Sequence, residues 1–212
     1  MFRIRSIIIL LLAVIMFNGV VCAKDNSADI KRSQAVAKET TANKEQVNKI
    51  EFNGQEYFLK RSTNKTPSGE YVNEYYKENE SPEGWTEMIT VSEFPKYEGG
   101  TMDYADMILS VDHSPNNYDR PVSCNSKTDK VTFVYLMRGK KNDVYYTDFN
   151  VMQVLPYKNR KGLKCFQYSN KHTYLNKAEY ASEYQKMENE KQKYFDLVKD
   201  VTMPDVVQKN IP

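Results

Sequence analysis

Apolar and polar residues alternate along much of the chain from Ile50 onward, and this period of two predicts β-strands. Asn53-Gly54 lies between two β-prone runs and predicts a type I′ hairpin, because both central residues of that turn take positive φ. Turn-forming segments separate most of the runs, so we expect an antiparallel sheet of about six to eight strands. Further strands are predicted at residues 71–76, 85–91, 121–124, 130–138, 144–155 and 163–168.

Two segments instead repeat their apolar residues at helical spacing. The first covers residues 102–111, with Thr101 as its N-cap. The second covers about residues 176–200, with Asn176 as its cap and Pro204 beyond its end. The predicted fold class is therefore α+β, with an antiparallel sheet covered by one short internal helix and one long C-terminal helix.

The N-terminus has the pattern of an export signal. Arg3 and Arg5 precede an apolar run at residues 7–17, and the segment ends in the small residues Val21-Cys22-Ala23. A basic segment, an apolar segment of this length and a small-residue end are typical of a secretory signal peptide. We expect cleavage between Ala23 and Lys24 and a protein that works in the periplasm or outside the cell.

Two alternatives to cleavage remain open. A retained anchor needs about 20 apolar residues, and Asn18-Gly19 interrupts the run before that length. Lipoprotein processing at Cys22 is disfavoured because Val21, and not a smaller residue, precedes the cysteine.

The predicted organisation has three parts: a signal peptide at residues 1–23, a flexible polar tether at residues 24–49, and a single domain at residues 50–212. The tether contains isolated apolar residues among many charged and polar ones, so it buries little surface. A segment that folds on contact with a partner is the alternative for this stretch. No second apolar run is long enough to span a membrane, so no transmembrane segment is predicted in the mature chain.

The charge pattern argues against a nucleic-acid partner. The formal net charge is +2, and it falls to about zero when Arg3 and Arg5 leave with the signal. Lysines and glutamates are interleaved, as at residues 186–191, whereas nucleic-acid binders concentrate their basic residues. A mixed, solvated surface is the prediction.

Two cysteines, Cys124 and Cys165, remain after signal removal. In an oxidising compartment they are predicted to form one structural disulfide, because their spacing fits neither a zinc site nor a redox pair. Closing a loop of about 40 residues would stabilise the fold by about 4 kcal/mol in the chain-entropy description.

Candidate catalytic chemistry is sparse, since the chain has two histidines, His113 and His172. Asp112-His113-Ser114 is the one sequence that suggests a hydrolase, although adjacent residues rarely face one another as a nucleophile–base relay requires. His172 follows a polar segment and is predicted to be exposed. No metal-ligand spacing and no phosphate or dinucleotide fingerprint is present, so no cofactor is predicted.

The candidate binding residues are aromatic. Trp85, the single tryptophan, is predicted at a junction between a turn and a strand, and with Tyr75 and Tyr76 it could line an exposed patch. Burial of Trp85 in the core is the competing interpretation.

The order of elements resembles that of PsbP-like proteins, in which helices cover a central antiparallel sheet. Residues 70–75 and 84–91 are also similar to a block in small exported bacterial proteins of unknown function. These resemblances imply a fold, and they transfer no catalytic residue. The sequence thus predicts an exported, non-catalytic protein that binds another protein or a small ligand, and the alternative is a secreted hydrolase with a site near Asp112-His113-Ser114.

Overall fold

The computed structural model describes residues 48–65, 69–114, 120–157 and 161–206. The predicted signal peptide (residues 1–23) and nearly all of the predicted tether (24–49) lie outside the described residues. Within these ranges the chain forms eight strands and two helices, so the predicted α+β class is confirmed. Their bounds are β1 (Lys49–Phe52), β2 (Gln55–Lys65), β3 (Glu70–Tyr76), β4 (Glu87–Phe94), α1 (Thr101–Ser110), β5 (Val122–Asn125), β6 (Lys130–Lys141), β7 (Val144–Pro156), β8 (Leu163–Tyr174) and α2 (Lys177–Lys199).

The described strands form one antiparallel sheet in the order β1-β2-β3-β4-β8-β7-β6-β5. Four consecutive strands make a meander that is followed by α1, and the next four make a second meander that is followed by α2. The last strands of the two meanders, β4 and β8, pair from Glu87↔Asn170 to Phe94↔Leu163 and join the halves. The most central strands are therefore the fourth and the eighth in chain order.

Two tight turns set the register of the hairpins. Asn53 and Gly54 have φ values of 52° and 72°, in agreement with the predicted type I′ hairpin. Asn142 and Asp143 have φ values of 49° and 63° and form the turn between β6 and β7. The predicted loop at residues 139–143 is thus shorter in the structure, because β6 continues to Lys141.

The helices pack on opposite faces of the sheet. On one face, α2 buries Met187, Tyr194, Phe195 and Val198 against side chains from both meanders. On the other face, Tyr104 and Ala105 of α1 pack against β6, β7 and β8. Alternate residues of each strand point to opposite faces of the sheet. Within one strand, the odd-numbered side chains therefore face one helix and the even-numbered side chains face the other, and we call this odd or even position the parity of a residue.

The two helix starts differ in how well the sequence predicted them. Asn176 caps α2, since its side chain accepts hydrogen bonds from the backbone N–H groups of Ala178 and Glu179. Gly100, and not Thr101, is the N-cap of α1. The backbone N–H of Gly100 donates to the Asp103 carboxylate at 2.7 Å, which is the N3 half of a capping box, while Gly100 has no side chain to make the other half.

The predicted disulfide between Cys124 and Cys165 is wrong, because Cys165 is a free, buried thiol. The ladder places Cys124 opposite Val131, Val131 opposite Val154, and Val154 opposite Cys165. Three strand spacings correspond to about 14 Å, whereas a disulfide needs Cα atoms within about 7 Å. A meander leaves its first and last strands apart, so the predicted meander and the predicted bond were incompatible. Burial raises the pKa of the Cys165 thiol, which keeps it protonated at neutral pH.

Candidate functional site

Two cross-strand rows of polar and aromatic side chains lie at one end of the second meander. Both rows are on the sheet face that α2 covers, because they have the parity of the buried Leu136 and Phe149. The pairing of β6, β7 and β8 aligns Arg138 with Thr147 and His172 in the first row, and Lys140 with Tyr145 and Tyr174 in the second.

The first turns of α2 close these rows into a depression with a volume of about 460 Å³. The Tyr180 ring of α2 lies 4.9 Å from the Tyr174 ring, centroid to centroid, and Tyr174 stacks on Tyr145 at 5.8 Å with an interplanar angle of 10°. We call this depression the tyrosine pocket. Its lining comprises Arg138, Tyr145, Tyr174, Leu175, Lys177 and Tyr180, together with the capping residue Asn176.

Arg138 is the central cation of the tyrosine pocket. Its guanidinium carbon lies 4.8 Å from the centroid of the Tyr180 ring, and its Nη2 donates a hydrogen bond to the Tyr180 hydroxyl. Its Nε is buried without a hydrogen-bond partner, and no described carboxylate forms an ion pair with it. The pocket therefore presents a half-buried positive charge that no described acid neutralises.

The tyrosine hydroxyls add directional hydrogen-bonding groups. Burial raises the pKa of Tyr180, so the hydroxyl stays protonated at neutral pH. That oxygen accepts from Arg138, which leaves the hydroxyl hydrogen available to a ligand. The hydroxyl of Tyr174, in the second row, lies 3.4 Å from Oγ1 of Thr147 in the first row. The lining thus combines cations, ring faces and hydroxyl donors, and among the described lining residues there is no acid.

His172 was predicted to be exposed in a polar turn, and this prediction is wrong. β8 continues six residues beyond its predicted end at Tyr168, and His172 is 8% exposed within it. His172 Nδ1 lies 2.9 Å from Glu183 Oε2 of α2, and its Nε2 is buried without a partner among the described residues. The segment around His172 was not predicted as a strand because its residues are polar. In the structure, β7 beside this segment and α2 above it supply the contacts that cover His172.

The sequence Asp112-His113-Ser114 completes an edge of the sheet. Asp112 Oδ1 accepts hydrogen bonds from the backbone N–H of Leu136 at 2.6 Å and from the hydroxyl of Ser114 at 2.8 Å. His113 Nδ1 accepts from the backbone N–H of Arg138 at 3.0 Å. The serine hydroxyl therefore donates to the aspartate and not to the histidine, so the three residues do not form a nucleophile–base pair in this geometry.

The structure does not bring Trp85, Tyr75 and Tyr76 together as one exposed patch. Tyr75 and Tyr76 are 0% and 1% exposed, and as neighbours in β3 they point to opposite faces of the sheet. Trp85 is half-buried in the turn before β4, and the ammonium of Lys171 lies 3.5 Å from its ring centroid.

Sequence reasoning missed the residues of the tyrosine pocket because it ended the strands too early. Arg138 was assigned to the last position of its strand, and Tyr174 fell outside any strand. The Asn142-Asp143 pair was an available signal, since both residue types tolerate positive φ and can form a two-residue turn. A turn placed there would have paired Arg138 with Thr147 and Lys140 with Tyr145.

The chain belongs to an uncharacterised protein family, whose model matches residues 45–202. That range includes every described strand and both described helices of this chain. No curated protein and no solved structure matches the chain significantly. Among the described residues, no helix has the length and apolarity that crossing a membrane would require.

Proposed function

We propose that this protein is an exported, non-catalytic binding protein whose tyrosine pocket holds a small ligand with an anionic group attached to a flat ring. The observation that carries the proposal is the half-buried Arg138, without an acidic partner among the described residues, beside the rings of Tyr145, Tyr174 and Tyr180.

The anionic part of the ligand is argued from the guanidinium. Arginine presents a planar set of N–H donors that matches a carboxylate or a phosphate, and such charge-assisted bonds are about twice as strong as neutral ones. The Arg138 guanidinium lines the pocket and has no described carboxylate partner, so an anion that accepts from its N–H groups would supply the missing counter-charge. Lys177 in the first turn of α2 adds a second positive charge to the same lining.

The ring of the ligand is argued from the aromatic lining. Tyr145 and Tyr174 are nearly parallel, and Tyr145 remains 41% exposed although it is large and aromatic. Leu175 is 63% exposed at the margin of the pocket. Exposed aromatic and aliphatic surface next to a cation favours a ligand whose apolar part stacks on tyrosine while its anionic end reaches Arg138.

The proposal also includes the export of the protein and its resemblance in architecture to PsbP-like proteins. Export is supported by the basic, apolar and small-residue segments at residues 1–23. The similarity in architecture to PsbP-like proteins is proposed on the order of the elements, since both arrangements place helices over a central antiparallel sheet.

Calorimetric titration with phenyl phosphate tests the pocket. We expect saturable binding to the wild-type protein, and we expect Arg138→Gln to weaken it by about 10- to 100-fold, the size of a lost hydrogen bond to a charged group. Phenol, which has the ring without the charge, should bind much more weakly than phenyl phosphate.

The matched control for this titration is Arg61→Gln. Arg61 is an exposed arginine of β2 that pairs with Glu74 outside the pocket, so the same chemical change there should leave phenyl phosphate binding unaltered. Equal affinity in the Arg138→Gln and wild-type proteins would contradict the assignment of the pocket. Equal loss in the two variants would show that the interaction is a nonspecific charge effect.

Mass spectrometry of the intact protein from its own producing cells tests export. We expect a chain that begins at Lys24, because the small residues before it fit signal-peptidase cleavage. An unprocessed chain that begins at Met1, recovered from the cytosol, would contradict export while leaving the binding proposal standing.

A further inference from the structure

A second aromatic cluster lies on the sheet face opposite the tyrosine pocket. Trp85 and Tyr146 both approach the ammonium of Lys171, whose Nζ is 3.5 Å from the Trp85 ring centroid and 5.6 Å from the Tyr146 ring centroid. The backbone N–H of Lys171 donates to Thr86 O at 2.7 Å, which fixes the segment that carries Trp85 beside β8. The lysine ammonium is thus within cation–π distance of both rings.

The position of Tyr146 depends on a glycine in the neighbouring strand. Gly139 is the register partner of Tyr146, and a Cβ atom at Gly139 would lie 2.3 Å from the Tyr146 hydroxyl. Only a residue without a side chain lets the ring lie across β6 at this point. Gly139 therefore leaves the space that the Tyr146 ring occupies.

A carboxylate lies beside Lys171, on the same face of the sheet as Tyr146. Asp148 is the register partner of Lys171 and has the same parity as Tyr146, so its side chain is on the same face. Its Oδ1 is buried without a hydrogen-bond partner, and among the described residues no ion pair joins Asp148 to Lys171. Burial raises the pKa of Asp148 to about 6, so the group is ionised at pH 8.

We propose that Trp85, Tyr146 and Asp148 form a cage for an organic cation of the quaternary ammonium class, and that Lys171 occupies this cage when no ligand is bound. Aromatic faces attract cations, and recognition of quaternary ammonium groups by aromatic cages uses this attraction. The carboxylate supplies the opposite charge without demanding a hydrogen-bond donor from the ligand. Lys171 has a flexible four-carbon stem, so its ammonium can rotate out into water when the ligand enters.

Because the Lys171 ammonium occupies the cage, it competes with any cation that binds there from solution. An external cation must displace the Lys171 ammonium, so wild-type affinity is reduced by that competition. Removing the lysine charge should therefore increase affinity, whereas removal of a contact residue normally decreases it. A merely structural role for the contact between Lys171 and Trp85 predicts no such gain.

Trp85 is the single tryptophan of the chain, so its fluorescence reports on the cage alone. We would titrate choline chloride at pH 8 into the wild-type and Lys171→Ala proteins, with sodium chloride at equal ionic strength as the reference. We expect a saturable change in Trp85 emission, with affinity about tenfold higher in Lys171→Ala, the size of one cation–π contact. No saturable change in Lys171→Ala, or the same change with sodium chloride, would overturn the proposal.

Three further variants complete the test. Lys171→Arg keeps a cation over the ring and should show no gain, whereas Lys171→Gln should show the gain if Lys171→Ala fails to fold. Asp148→Asn in the Lys171→Ala background should weaken choline binding, because it removes the carboxylate charge. Arg138→Gln should leave the choline curve unchanged, so failure of this cage and failure of the tyrosine pocket are separate results.

Discussion

Replacing Asp112 by alanine is expected to destabilise the protein by about 3–5 kcal/mol, because it breaks a buried ion pair and leaves several polar groups without partners. The Asp112 side chain is 0% exposed, and its Oδ2 lies 2.9 Å from Arg120 Nε. That contact lacks the alignment of a hydrogen bond, so the Arg120 interaction is purely one of charge proximity. Its other oxygen accepts from the backbone N–H of Leu136 at 2.6 Å and from Ser114.

The size of this effect follows from where these groups lie. In the Asp112→Ala variant, the backbone N–H of Leu136 at the edge of β6 loses its acceptor, and Arg120 loses its counter-charge. Each such group costs about 1–3 kcal/mol when it is buried and unpaired. The measurement is urea unfolding followed by circular dichroism, with the free energy of unfolding taken from the midpoint and slope.

Two variants serve as controls for Asp112→Ala. Asp112→Asn keeps an acceptor oxygen and should be less destabilising, while Ser114→Ala removes one hydrogen bond to Asp112 and should cost about 1 kcal/mol. If Asp112→Ala unfolds at the wild-type urea concentration, the assignment of Asp112 as the residue that completes the sheet edge is wrong.

Replacing Gly162 by alanine is expected to destabilise the protein by about 2–4 kcal/mol, the sum of backbone strain and overlap. Gly162 precedes β8 with φ of +72°, and a Cβ atom there would lie 2.4 Å from the carbonyl oxygen of Phe94 and 2.7 Å from Cα of Pro95. These atoms belong to the backbone, so they cannot rotate away. The clash falls where β4 and β8 join the two meanders.

Gly54 provides a matched control because it also has φ of +72° but has nothing within 4 Å of the Cβ position in the described structure. Gly54→Ala should show the strain alone, about 1–2 kcal/mol. The difference between the two variants in urea unfolding therefore isolates the overlap with the backbone of residues 94 and 95. Equal destabilisation by the two substitutions would contradict a close approach of β8 to the end of β4.

Several parts of the fold were determined by the sequence because their causes are local. The turn at Asn53-Gly54 needs two residues that accept positive φ, and the cap at Asn176 needs one side chain that reaches the first N–H groups of its own helix. Alternation predicted the strands, and helical spacing predicted α1 and α2. Neighbouring residues supply all of this information, so no knowledge of the tertiary structure was required.

The candidate sites could be predicted only in fragments. The sequence singled out Trp85 but not its partners, because Lys171 and Asp148 come from strands 60 or more residues away in the chain. Arg138 and Tyr174 had no distinguishing motif, and they become a pocket only when the register of three strands and the start of α2 align them. These side chains come together only because strands that are far apart in the sequence pair with one another. No local sequence pattern therefore marks them as a site.

The sequence alone determined that eight strand segments and two helices exist, where the Asn53-Gly54 turn lies, and that an antiparallel sheet results, but not where β6 and β8 end. Only the tertiary structure decided that β4 pairs with β8, that the helices cover opposite faces, and that Cys124 lies three strands from Cys165. It also decided that the polar segment around His172 is a strand in which the His172 side chain is buried. The physical reason is that turns and caps are stabilised by residues close in sequence, whereas strand order and burial are set by packing between residues that are distant in the chain.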